Sequence, residues 1–116
     1  MLASPNRFGR QFEIVDGSLH RTFTHVDGDR YYATCEFAVF QAVLSAIEDL
    51  AAEGATQRAV AKRIGAPLPQ VAVAFEFLQL SGCTTYRKSR AYPPAQGKLF
   101  DLGMTVYAAL AERKGS

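Results

Sequence analysis

The segment Thr56 to Leu78, TQRAVAKRIGAPLPQVAVAFEFL, constrains this chain more than any other stretch. Gly65 stands where a chain leaving one short helix must turn through positive φ, which glycine adopts without steric penalty. Thr56 supplies an N-cap for the helix before that turn. Pro67 and Pro69 suit the first turn of the helix after it, where a missing N–H costs nothing. The small Ala61 falls where two such helices would cross closely, and Val60, Ile64, Val71 and Ala74 fall at the inward positions between them. Two short helices joined by a tight glycine turn are therefore expected.

The flanking sequence supplies strands and further helices. Phe12 to Val15 is followed by Asp16-Gly17, a two-residue hairpin signal, and then by the alternating run Leu19 to Val26. A second turn at Asp27-Gly28-Asp29 leads into Arg30-Tyr31-Tyr32-Ala33. Three short strands of this kind form a β-meander over residues 1–34 that needs a helix to cover its apolar face. Thr34 can cap that helix, whose apolar positions Phe37, Phe40, Val43, Leu44, Ile47 and Leu50 repeat at helical spacing, with Gly54 as its stop. The helix after Gly65 is expected to end at Gly82. Cys83 to Lys88 reads as a strand, Ser89 to Gly97 as a loop, Lys98 to Leu102 as a returning strand, and Gly103 as the opening of a final helix.

A chain of 116 residues is read as one domain, large enough for a core without disulfides or metals. No apolar run approaches the roughly 20 residues that span a bilayer, and MLASPNRFGRQ lacks the apolar region of a signal peptide. Cys35 and Cys83 stand far apart without a CxxC pairing, so neither a disulfide framework nor a zinc knuckle is suggested. A reduced, cytoplasmic protein is the expectation. Charge is lopsided: residues 1–55 carry four arginines against eight acids, a net −4. Residues 56–98 carry seven cations against Glu76 alone, a net +6. A basic half of this kind is what a polyanion partner would require, although it is also compatible with a merely solvated surface.

The glycine-turned helix pair resembles the helix-turn-helix of bacterial DNA-binding regulators. The order helix, helix, helix, hairpin resembles a winged helix, and the closing helix with Val106, Tyr107, Leu110 and Ala111 resembles the tail of MarR-like and PadR-like transcriptional regulators. The resemblance covers about residues 35–113 and leaves the meander outside the family plan. It implies an α+β fold: a winged helix-turn-helix with a C-terminal helix, preceded by the N-terminal β-meander. It further implies a homodimer that binds double-stranded DNA, regulates transcription, and uses neither cofactor nor metal.

On that reading the hairpin is the wing. Tyr86, Arg87, Lys88, Ser89 and Arg90 place three cations and two hydroxyls around its tip, with Arg90 at the tip itself and Lys98 on the returning strand. Strand alternation would send Arg87 and Lys88 to opposite faces. Arg58, Lys62 and Arg63 on the second helix would flank the groove, or else form a wet face. The third helix is poor in base-reading groups: of its expected outward residues Leu68, Gln70, Ala72, Val73, Glu76 and Phe77, only Gln70 is suited, through bidentate contact to adenine. Val73, Phe77 and Leu80 make a second apolar stripe that the meander, the closing helix or a partner subunit must cover. That stripe supports an alternative, a winged-helix module that docks proteins. His20 and His25 lie on opposite strand faces and form no metal site, and no catalytic constellation stands out. Cys35, at a helix start, is either a buried inert thiol or one with a lowered pKa.

Overall fold

A computed structural model describes residues 12–24 and 30–114. Asp16-Gly17 turns the chain as its residue types dictate: both have positive φ, 52° and 78°, the pair of values a type I′ hairpin requires. The turn joins β1 (Phe12–Val15) to β2 (Ser18–Thr24), and β3 (Arg30–Cys35) completes an antiparallel sheet of order β1-β2-β3. The pairing Ile14↔Leu19↔Cys35 and Phe12↔Arg21↔Ala33 puts those six residues on one face. The Asp27-Gly28-Asp29 turn and His25 lie outside the described residues, as do the side chains of Tyr31 and Tyr32.

Four helices are described. They are α1 (Phe37–Asp49), α2 (Gln57–Ile64), α3 (Leu68–Leu80) and α4 (Leu99–Lys114). Thr56 Oγ1 accepts from the Ala59 N–H at 3.1 Å, and Gly65 closes α2 at φ 69°, ψ 34°, so the turn between α2 and α3 forms as its sequence requires. Thr34 does not cap α1. It is paired with His20 in β3, which runs two residues past Ala33, and Glu36 takes the cap position without a side-chain bond. Helix α1 stops at Asp49, short of Gly54, which turns at φ 86° a few residues later.

The basic hairpin departs most from its sequence reading. Strand β4 is only Thr85–Arg87, and its partner β5 is Arg90–Tyr92. The turn is the pair Lys88 and Ser89, with φ of 50° and 65°. Lys98 to Leu102 is no strand: Leu99 begins α4, and the Lys98 carbonyl accepts the Leu102 N–H at 3.1 Å. Gly103 lies inside α4 rather than at its start, because α4 crosses α1 there and a Cβ would land on the Leu44 side chain. The chain ahead of α2 joins the hairpin through reciprocal backbone bonds between Ala55 and Ala91, each 2.8 Å.

One hydrophobic core runs through both the meander and the helices, uniting Phe12, Ile14 and Leu19 with Phe40, Leu44, Val71, Phe77 and Leu110. Strands β2 and β3 pack on α3, and β1 packs on α4. Phe77 sits edge-on to Phe12 at 5.3 Å and to Phe40 at 5.8 Å. The second apolar stripe of α3 is covered from within at Val73 and Phe77, which are buried, while Leu80 is half-buried and lines a cleft towards α2 and β4. Tyr107 donates to the Gly17 carbonyl and so ties α4 to the first hairpin turn.

Candidate functional site

The exposed cations fall on α2 and on the β4–β5 hairpin. Arg58, Lys62 and Arg63 are exposed on α2, which has no acid of its own. Arg63 is partly engaged, its guanidinium 3.1 Å from Asp49 Oδ2 on α1. Tyr86, Arg87, Lys88, Ser89 and Arg90 are all exposed. Lys98 is exposed too, but it belongs to the approach to α4.

Hairpin register reassigns the roles around the tip. Arg87 and Arg90 are direct cross-strand partners and so share one face, with Lys88 between them in the turn. Arg90 is therefore not the tip residue, and the opposite-face expectation for Arg87 and Lys88 fails because Lys88 is not in a strand. Like charges placed opposite each other repel. Two interactions offset that repulsion. The Arg87 guanidinium lies 4.6 Å from the centroid of the Tyr92 ring, a cation–π geometry. Arg90 Nη1 donates to the Gly54 carbonyl at 3.3 Å and to that of Glu53 at 3.5 Å. Gly54 makes this seat possible, since a Cβ there would stand 2.6 Å from Tyr92 Cζ and 2.8 Å from Arg90 Cβ.

Helix α3 offers less. Gln70 accepts the Glu36 N–H at 3.0 Å through Oε1 and donates to Glu36 Oε2 at 3.4 Å, so its amide holds the start of α1 instead of facing outward unengaged. Glu76 pairs with Arg21 of β2 at 2.7 Å, which matches the one negative charge of α3 with a cation from the sheet. A cleft of about 270 Å³ between α2, α3 and β4 is lined in part by Gln57, Gln79 and Tyr86. Nothing in the sequence singles out Gln57 and Gln79. Their only signal is that of polar residues on helices, and the juxtaposition with Tyr86 depends on tertiary packing.

Both thiols are buried, which disfavours their thiolate forms. Cys35 is wholly buried, and burial, helped by the neighbouring Glu36 carboxylate, pushes its pKa up to about 12. This overturns a lowered pKa at the helix start. Burial also raises Cys83, against a hydrogen bond from the Ser81 hydroxyl that lowers it. Among the described residues no three His, Cys, Asp or Glu side chains gather as metal ligands, and no helix is long and apolar enough to cross a membrane.

In comparisons with known proteins, no family model, no curated protein and no solved structure matches this chain.

Proposed function

We propose that this chain is a winged helix-turn-helix protein that binds double-stranded DNA as a homodimer and regulates transcription from the cytoplasm. Support for the fold comes from the element order α1, α2, glycine turn, α3, hairpin, and from the Ala55–Ala91 bridge that fastens the hairpin beside α2. The observation that carries the function is the hairpin end. Arg87, Lys88 and Arg90 are crowded there, exposed, on a turn whose two residues both hold positive φ without being glycine. Each such residue costs on the order of 1 kcal/mol relative to an Asn-Gly turn. A polyanion would repay both the crowding of charge and the cost of the turn.

In this reading the hairpin and the exposed Arg58 and Lys62 neutralise phosphates, with Arg63 and Lys98 contributing at the margin. Gln70 is occupied by Glu36, so direct base readout is small, and Gln79, Gln57 and Tyr86 are the groups nearest the groove between helix and wing. Recognition is then led by phosphates and by counterion release. The apolar face of the meander is spent on α3, which leaves the solvent side of α4, with Leu102 40% exposed, as the dimer surface. The same covering removes Val73 and Phe77 as a docking surface for another protein.

Fluorescence anisotropy of random duplex DNA across a salt series tests this reading, comparing the wild type with Arg87→Ala/Arg90→Ala. Binding should weaken steeply with salt, and the double variant should flatten the log–log slope by about 2, roughly one for each phosphate no longer neutralised. Absence of binding at low salt by a folded protein would overturn it.

A further inference from the structure

Away from the basic hairpin, the β1–β2 turn, the start of α1 and α4 border a wide-open cavity of about 540 Å³. Its size lies within the roughly 300–1,000 Å³ typical of small-molecule sites. Ile14, Phe37, Ala38 and Tyr107 form apolar and aromatic walls, and the acidic residues Asp16 and Glu36 line it as well. Among the described residues that line it there is no Lys or Arg.

We infer that this cavity binds a small organic cation: an ammonium group attached to an apolar or aromatic body. Three features select that chemistry. Phe37 is 38% exposed although it leans on Tyr107 at a ring separation of 5.0 Å, so part of an aromatic ring that lines the cavity is open to solvent. An ammonium over such a face is attracted by the ring quadrupole. Two acidic residues line it, and the main chain that carries the first is held: Asp16 sits in the two-residue turn at φ 52°, which Tyr107 fastens by donating to the Gly17 carbonyl. Glu36 is anchored by Gln70, which takes both its N–H and its carboxylate. A bare metal ion is a poor fit, because two carboxylates among apolar walls fall short of the six or more oxygens that Ca²⁺ takes. None of its residues belongs to the basic hairpin, so the site can be tested without DNA.

Titration of the isotopically labelled full chain with phenethylamine, followed by amide NMR shifts without DNA, tests the inference. Phenethyl alcohol and hydrocinnamate serve as neutral and anionic counterparts. Saturable shifts should centre on Gly17, Phe37, Ala38 and Tyr107, with the amine bound more tightly than the alcohol and the carboxylate weakest. Asp16→Asn tolerates the positive φ, and Glu36→Gln retains the N–H that Gln70 accepts. Each should weaken the amine about threefold and both together about tenfold, while leaving the alcohol unchanged. Equal affinity for amine and alcohol, shifts centred elsewhere, or no saturable shift in a folded protein would each overturn the proposal.

Discussion

At the β1–β2 turn the residues with positive φ are Asp16 and Gly17, and at the β4–β5 turn they are Lys88 and Ser89. The backbone path is the same, yet the first pair adopts it at little cost and the second does not. The first hairpin feeds Phe12, Ile14 and Leu19 into the core, whereas all three residues of β4 are exposed. One hairpin is held by what it buries, and the other, whose strands bury only Ala91, chiefly by bonds to the main chain around Gly54. The first can therefore tolerate a cheap turn chosen for folding, while the second keeps a costly one whose side chains are cationic. Sparse burial and concentrated charge fall on the same element, as expected where a binding surface is drawn from the less packed part of a fold.

Phe12→Ala should break the first hairpin most severely. Loss of a buried ring packed on Phe77 should cost about 3–5 kcal/mol in urea unfolding, whereas Tyr86→Ala on the second should cost about 0.5 kcal/mol. Equal losses would erase the contrast. Gly54→Val comes next, since its Cβ would meet Tyr92 and Arg90 at a backbone angle unsuited to a side chain. A loss of about 3 kcal/mol is expected, with faster hydrogen exchange in the hairpin while β1–β3 stays protected.

Alkaline titration probes the first region without mutation. The folded pKa of Cys35 is raised from 9.0 to about 12, so its thiol stays protonated in the native state after the unfolded chain has ionised. Its contribution is complete below pH 9.0 and is lost as pH rises from 9.0 towards 12. Stability should decline over that window by about 1.4 kcal/mol per pH unit. Cys83 and Tyr107, both raised by burial, act in the same direction. Cys35→Ala should flatten the decline. The smallest effect is expected from Lys88→Asn/Ser89→Gly, which gives the second turn the residues its φ values favour. It should stabilise by about 2 kcal/mol, roughly one for each turn residue, and weaken DNA binding in the anisotropy assay, because a cation is removed.

Where residue type alone decides the backbone, the sequence is legible. Asp16-Gly17, the Thr56 cap and the left-handed Gly65 all lie where local chemistry puts them. Lys88-Ser89 carries no such chemistry, so the residues suggest a longer hairpin with Lys98–Leu102 as its second strand. Gly103 misleads for a different reason: it serves the crossing with Leu44, fifty-nine residues away in sequence, and not a helix start. The same holds at the candidate site. The basic residues of the hairpin can be named from the sequence, but not that Arg87 faces Arg90 across the strands. The engagement of Gln70 by Glu36 also depends on packing between α1 and α3. The second apolar stripe of α3 is plain from its pattern, and only the fold identifies the meander as the cover of Phe77.

The bridge between Ala55 and Ala91 is made of main-chain atoms on both sides, and Arg90 and Tyr92 also bond to main-chain carbonyls. An attachment of this kind is nearly indifferent to the side chains displayed beyond it, provided residue 54 remains glycine. Mutational drift can therefore rewrite positions 86 to 89 while the hairpin keeps its mooring. A strand whose residues are all exposed is free to acquire new specificity without disturbing the core.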